Sequence, residues 1–302
     1  MNIWIQNWRT SIIDSLTGAG IGADEVESEA DFILSHILGI SRGQLYFYDP
    51  SKQIGSGYNQ KSGDLDKKIN EIIRRRCQRE PLQHILGCWE FYGYDIEVNR
   101  DVLVPRPETE GLVEIVSDWI SRQEKTTAGQ INLLGLDWGT GSGCISLALA
   151  HKHPSVQIMA VDISEKALQT AAGNIRRHGL DSRIQLIHND GLSSLDFEKV
   201  PDFIVSNPPY IPEVEIIKLA PEVREFDPHM ALCGGYDGLD PYRQIALELG
   251  ELSDLPQLVA FEIGWDQGQA LEEIFRSYGE YYDMLVRQDL YGRDRYWVMQ
   301  RK

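Results

Sequence analysis

The residues best placed to do chemistry are Asn207-Pro208-Pro209-Tyr210, at the end of the apolar run Phe203-Ile204-Val205-Ser206. The run has the length and β-branched content of a buried strand. Two prolines must stop it, because neither carries the N–H that a strand ladder needs. An Asn side chain before a rigid Pro-Pro turn puts polar acceptors at the strand's C-terminal edge. There the Asn carboxamide oxygen and the Pro208 carbonyl can both accept hydrogen bonds from one planar NH2 group, with the Tyr210 ring packed over it. Such a site suits methyl transfer to an amide or aromatic-amine nitrogen, whose delocalised lone pair is a poor nucleophile. The competing reading of these four residues is a plain strand-to-loop turn, since Asn-Pro and Pro-Pro are common turn dipeptides.

A second set of residues points to the methyl donor. Asp137-Trp138-Gly139-Thr140-Gly141-Ser142-Gly143 follows an apolar run and precedes a helical one. Glycines at every second position let the backbone of a βα turn approach a ligand closely. The spacing is G-x-G-x-G, not the G-x-G-x-x-G of dinucleotide folds. Asp162 ends the next strand, 19 residues beyond Gly143, where a carboxylate can take both ribose hydroxyls. Asp190, followed by Gly191, ends the third, where adenine would lie. No Lys or Arg sits in the glycine turn to meet a pyrophosphate. That pattern points to S-adenosyl-L-methionine over NAD or ATP. The competing reading is a tight structural turn with the strand-end Asp residues as helix caps.

These residues need a scaffold, and the chain supplies an alternating one from about Ile131 onward. Strands are expected at Ile131–Leu136, Val156–Val161, Ile184–Ile187, Phe203–Ser206, Leu258–Ile263, Met284–Arg287 and Tyr296–Met299. Helices such as Cys144–Ala150 and Glu165–His178 lie between, giving a β-α repeat and a parallel, doubly wound sheet. The last two strands are close enough to form an antiparallel hairpin at one edge. Upstream, residues 1 to about 85 read as a small helical bundle. Trp4, Ile5, Trp8, Ile12, Ile13 and Leu16 recur at helical spacing, as do Val26, Ala30, Ile33, Leu34, Ile37 and Leu38. A third helix is expected from about Leu65 to Arg79, after a Gly/Ser-rich loop near Ile54–Gly57. Arg74, Arg75, Arg76 and Arg79 read as a solvated face, with contact to nucleic acid or an acidic partner as the alternative. Trp89–Val98, aromatic with a central Gly, suggests a hairpin joining two domains. Thr109 or Glu108 is a possible cap for the apolar helix that follows.

Composition narrows the partners. The chain has 302 residues, 42% hydrophobic and 25% charged, enough for a sizeable core and two domains. No apolar run approaches the roughly 20 residues of a membrane helix, and the N-terminus shows no secretory signal. Cys77, Cys88, Cys144 and Cys233 are far apart, which reads as reduced thiols in a cytoplasmic protein with no metal site. The histidines are scattered and read as structural or solvated. The formal charge is −17, of which residues 1–85 carry −1 and the remainder −16. So acidic a catalytic region repels nucleic-acid backbones and favours a protein or small-molecule substrate.

Val104-Pro105-Arg106-Pro107-Glu108-Thr109-Glu110, Gly139–Gly143, Asp162 and Asn207–Tyr210 together resemble the HemK/PrmC family over nearly the whole chain. The likeness takes in Arg79–Gly87, Ala231–Leu239 and Glu262-Ile263-Gly264. Members of that family are S-adenosylmethionine-dependent methyltransferases that modify the glutamine of the Gly-Gly-Gln motif in peptide-chain release factors. The resemblance implies an α/β, Rossmann-like, seven-stranded methyltransferase domain with a small N-terminal helical bundle. It implies a substrate-recognition domain over 1–85, a β-hairpin linker over 86–107 and a catalytic domain over 108–302. By the same resemblance Gly139, Thr140, Gly141, Ser142, Gly143, Asp162, Asp190, Gly191 and Asn207 contact the cofactor. Asn207, Pro208, Pro209 and Tyr210 hold the glutamine. Gly191 stands where the family often has an aromatic beside adenine, and Asp227 where a Glu is usual. Neither Trp138 nor Asp227 is expected to touch the chemistry. A cytoplasmic monomer acting on release factors, with no direct nucleic acid and no membrane, is the expectation. The alternatives are a ribosomal-protein glutamine methyltransferase, an adenine-N6 methyltransferase on nucleic acid, and a non-enzymatic adaptor. The Pro-Arg-Pro-Glu-Thr-Glu stretch favours the release-factor branch.

Overall fold

A computed structural model describes residues 2–48, 62–126, 131–192, 195 and 199–302. The chain divides into two compact units, one of Met1–Gly87 with Pro221–Phe226 and one of Cys88–Ala220 with Asp227–Lys302. The first is helical: α1 (Ile3–Gly18), α2 (Ala23–Leu38), α3 (Arg42–Leu45), α4 (Ser62–Arg76) and α5 (Leu82–Leu86). Asn2 caps α1 by accepting from the Trp4 N–H at 2.8 Å, and Gly39 closes α2 in the left-handed conformation. The core is the expected stripe, with Ile5, Ile12, Leu16, Ile33, Leu34 and Ile69 fully buried. The short α3 and α5 were not expected, because four or five residues hold too little periodicity to register. The Gly/Ser-rich stretch near Ile54–Gly57 lies outside the described residues.

The arginine cluster is not a solvated face. Arg76 is buried, with its guanidinium 2.9 Å from both Glu29 and Glu222. Arg79 bonds the Gly20 carbonyl and Glu222, each at 2.8 Å, and Arg75 pairs with Glu80 at 2.7 Å. Arg74 alone of the four matches the expectation, sitting exposed against Glu71. The acidic partners come from this chain, and Glu222 lies 146 residues from Arg76 in sequence.

The second unit opens with a hairpin, β1 (Cys88–Phe91) and β2 (Tyr94–Glu97), turning at Tyr92-Gly93. Helix α6 (Pro107–Thr126) follows. Then come β3 (Leu133–Trp138), α7 (Cys144–Lys152), β4 (Val156–Asp162), α8 (Glu165–Arg177), β5 (Ile184–His188) and β6 (Phe203–Ser206). After α9 (Glu213–Ile216), the chain enters α10 (Pro221–Phe226), which clusters with the first unit. The remainder is α11 (Asp240–Leu249), β7 (Leu258–Glu262), α12 (Gly268–Ile274), β8 (Tyr282–Gln288) and β9 (Asp294–Arg301). Seven strands form one sheet in the order β5-β4-β3-β6-β7-β9-β8. The first five are parallel, and β9 runs antiparallel to both β7 and β8, so the C-terminal hairpin closes one edge as expected.

Every residue of β6 and β7 is buried, as strands covered on both faces must be. One face packs Phe203, Val205 and Ala260 with Leu112, Val116, Trp119 and Leu147 of α6 and α7. The other packs Ile204, Val259 and Phe261 with Tyr242, Ile245 and Leu271 of α11 and α12. The strand order reverses between β3 and β6. In such sheets ligands bind beyond the carboxyl ends of the strands at that reversal. The glycine turn follows β3 and Asn207 follows β6, so topology brings the two sets of residues together.

Candidate active site

The glycine turn is shaped from beneath by Asp137, which is fully buried. Its Oδ2 accepts from the Thr140 hydroxyl at 2.7 Å, the Ser146 hydroxyl at 2.6 Å and the Ser146 N–H at 3.3 Å. Burial pushes its carboxyl up to about 6 against these bonds. Gly139, Gly141 and Gly143 all have positive φ, at 71°, 57° and 81°, which side-chain-bearing residues rarely adopt. Asn174, fully buried on α8, donates to the Ser142 carbonyl at 2.9 Å and exchanges two bonds with the Glu97 backbone. It pins the turn, the helix and the hairpin at one point.

Asp162 sits where the sequence puts it, at the end of β4. Its Oδ2 accepts from the Gly141 N–H at 2.8 Å and its Oδ1 from the Ser164 N–H at 2.9 Å. It is therefore a brace for the glycine turn, and each oxygen keeps a second lone pair for a ligand hydroxyl. Burial raises its pKa. Gly139, Thr140, Gly141, Ser142, Asp162, Asn189, Asp190, Gly191 and Asn207 all line one cleft, of about 170 Å³. Gly143 caps α7 just behind it. Trp138, Leu103, Ile145, Ile163 and Met230 supply apolar wall. Asn189, unremarked in the sequence, bonds the Gly191 carbonyl at 2.8 Å and holds this rim.

The charged residues of the lining are Asp101, Asp162, Asp190 and Arg106. Three carboxylates against one guanidinium suit a ligand carrying a sulfonium and an ammonium, and oppose a pyrophosphate. The cleft thus fits S-adenosylmethionine, with carboxylates for hydroxyls and cationic groups and an apolar wall for a base. Arg106 is itself held at 2.7 Å by Asp227, whose side chain is buried. Burial pushes Asp227 up to about 6, with Arg106 opposing it. Asp227 is absent from the lining and bears on the cleft only through Arg106, whereas Trp138 lines it directly.

Of the four residues expected to hold the glutamine, Asn207 and Pro209 line the cleft, while Pro208 is buried and, like Tyr210, lies outside the lining. The loop's carbonyls are closely packed. A Cβ at Gly234 would stand 2.6 Å from the Pro209 oxygen, and one at Gly238 would stand 2.3 Å from the Tyr210 oxygen. Side chains there would push the turn aside, which explains Gly234 and Gly238. Gln267 donates to the Tyr210 and Gly238 carbonyls at 3.0 and 3.1 Å.

Behind the loop lies a carboxylate to which the sequence assigned no role. Glu262, at the end of β7, is 1% exposed. Its Oε2 accepts from the Thr109 hydroxyl at 2.7 Å and its Oε1 from the Tyr210 hydroxyl at 3.2 Å. Thr109 in turn accepts from Asn207 Nδ2 at 3.1 Å. Thr109 is therefore no helix cap: it sits inside the first turn of α6 with its hydroxyl spent on Glu262.

Comparison with known proteins agrees with this geometry. Residues 7–87 match the PrmC N-terminal domain and residues 124–221 the Methyltransferase small domain. The N-terminal domain of human METTL16, solved in complex with SAH, shares the fold with a TM-score of 0.54. That likeness covers 72% of this chain and 81% of that one at 19% identity, and carries the fold alone. A release factor glutamine methyltransferase of Moorella thermoacetica is 40% identical over 77% of this chain and 79% of its own length. Another, of Caulobacter vibrioides, is 37% identical over 275 residues, or 91% of this chain and 89% of that one. Likeness sustained across both units, with the glycine turn, Asp162 and Asn207 gathered at the carboxyl ends of neighbouring strands, means that the chain belongs to the family of release factor glutamine methyltransferases.

Proposed function

We propose that this chain methylates the side-chain nitrogen (N5) of the glutamine in the Gly-Gly-Gln motif of peptide-chain release factors. The observation that carries the reading is the meeting of Asn207 with the glycine turn and Asp162 around one cleft. S-adenosylmethionine, when bound, supplies a methyl group activated on a sulfonium. The chain's own task is to present an amide nitrogen to it. Asn207 Oδ1 and the Pro208 carbonyl accept the two N–H bonds of the glutamine NH2, which favours a more pyramidal, more nucleophilic nitrogen. Neither acceptor takes up a proton at neutral pH, so the site orients the amide and leaves deprotonation until after attack. Positioning and fixed acceptors account for the acceleration. Asp162, Asp190 and Gly139–Gly143 hold the cofactor, and Pro209 shapes the wall on which the glutamine lies, with Tyr210 held behind it by Glu262.

A single side-chain amide offers few atoms to recognise, so the helical unit over residues 1–85 is assigned the grip on the release factor. The strongly acidic remainder, at −16, disfavours a nucleic-acid substrate. No described helix is long and apolar enough to cross a membrane. A cytoplasmic monomer is the working state in this reading. Incubation of purified release factor with enzyme and S-adenosylmethionine, followed by peptide mass spectrometry, tests it. One methyl group is expected on the Gly-Gly-Gln glutamine, and none with Asn207→Ala. Methylation elsewhere, or undiminished transfer by the variant, would overturn the assignment.

A further inference from the structure

We infer that Glu262 and Thr109 are positioning residues that fix which face of the Asn207 carboxamide meets the substrate. The inference rests on the reading of Asn207 as the amide acceptor. It follows from counting protons along a buried chain. Each oxygen of the Glu262 carboxylate is met by a hydroxyl donor, Thr109 at 2.7 Å and Tyr210 at 3.2 Å, the arrangement that a group able only to accept requires. The Thr109 hydroxyl has one proton, and at 2.7 Å it is committed to Glu262 Oε2. Towards Asn207 the Thr109 oxygen can then only accept. The atom of Asn207 that stands 3.1 Å from it must be the NH2 and not the oxygen. Asn207 Oδ1 is thereby turned away from Thr109, free to accept from a substrate N–H. The same carboxylate takes the Tyr210 hydroxyl on its other oxygen at 3.2 Å, so one group orients both ends of the tetrapeptide.

A neutral partner in place of Glu262 loses this direction. An amide NH2 aimed at Thr109 would let the hydroxyl swing its proton towards Asn207, which would then present its NH2 to the substrate. Two donors would face each other across the acceptor site. Glu262 is backed by Tyr242, whose hydroxyl donates to the Glu262 main-chain carbonyl at 2.8 Å. Burial pushes the Glu262 carboxyl up, and the Thr109 hydroxyl, Arg295 on the neighbouring strand β9 and the Tyr210 hydroxyl oppose it.

Single-turnover rates on intact release factor, at saturating cofactor and substrate, test the relay in the full-length protein. Thr109→Val keeps the shape and removes the proton. It is expected to slow methyl transfer about 10- to 100-fold, the scale on which misoriented reacting groups act. Thr109→Ser restores the hydroxyl and should recover most of the rate. Glu262→Gln reads the relay from its far end and should also slow transfer. In all three the cofactor Kd from calorimetry is expected to stay near wild type, while Thr109→Val and Glu262→Gln lower the unfolding temperature because each leaves a buried group short of a partner. A purely structural role would weaken cofactor binding together with the rate, and that outcome overturns the inference. So does Thr109→Val at the wild-type rate, or Thr109→Ser as slow as Val. Asn207→Ala measured alongside separates the failures. If it is inactive while Thr109→Val is fast, the relay alone is wrong. If Asn207→Ala is itself fast, the acceptor assignment falls and the relay with it.

Discussion

Asp137 carries a carboxylate that the fold holds against its own preference. It is fully buried and pushed up to about 6, even with three donors on one oxygen. Its other oxygen has no hydrogen-bond partner among the described residues. The folded chain binds this proton more tightly than the unfolded chain, whose Asp titrates near 3.9. The resulting stabilisation is fully present below about pH 4 and is lost as pH rises through about 6. Asn at this position copies the protonated form and does not titrate. The cofactor-free Asp137→Asn variant should therefore gain on wild type by ~2–3 kcal/mol between pH 4 and pH 7.5. Urea unfolding of both proteins at several pH values measures that difference, and other groups cancel. A difference that stays flat with pH would show that Asp137 is ionised in the fold at ordinary cost. Residues of this kind show how far the site can be read from sequence. Asn207–Tyr210 and Gly139–Gly143 are legible because their geometry is local: prolines stop a strand and alternate glycines shape a turn. Thr109 and Glu262 are 153 residues apart, so no spacing rule joins them. Glu262-Ile263-Gly264 was visible as part of a resemblance without a role attached.

Elements show the same division between local and distant causes. The β-α alternation, the parallel core and the edge hairpin follow from apolar runs and their lengths. Strand ends do not. β3 runs on through Asp137 to Trp138, two residues past the expected stop, because Trp138 still pairs with Val161 of β4. Polar side chains near a glycine turn look like loop until the neighbouring strand is known. The hairpin β1–β2 is legible as a hairpin, but its attachment is not. It is tied to α8 and the glycine turn by Asn174, 77 residues from Glu97. All three hydrogen bonds of that carboxamide go to backbone groups. Asn174→Ala leaves the buried Ser142 carbonyl unpaired, at about 1–3 kcal/mol. The catalytic unit should lose stability on that scale, and the cofactor should bind more weakly because the turn loses its anchor at Ser142. Calorimetric titration with S-adenosylmethionine together with thermal unfolding checks both. Loss of stability with untouched affinity would mean the turn is held by Asp137 and Asp162 alone.

Across the whole molecule, the division of labour between units can be tested because they differ in charge and in composition. Residues 1–85 are nearly neutral, while the remainder carries −16. Every described residue lining the cleft belongs to the second unit. Cofactor binding should therefore survive removal of the helices, whereas recognition of a large protein substrate should not. One feature of the fold changes how the shortened protein must be made. Residues Pro221–Phe226 belong to the helical unit, and Glu222 there neutralises Arg76 and Arg79. Cutting before residue 88 strips Glu222 of both arginines, so the shortened protein should carry Glu222→Gln. Such a protein is expected to bind S-adenosylmethionine with nearly unchanged affinity and to methylate intact release factor far more slowly. A short Gly-Gly-Gln peptide should be a poor substrate for both forms, since it cannot use a remote surface to offset the ordering of its chain. Initial rates on protein and peptide, with circular dichroism to confirm folding, decide the matter. A shortened protein as fast on release factor as the full chain would reduce the helices to a stabilising cap, and recognition would have to lie on the catalytic unit itself.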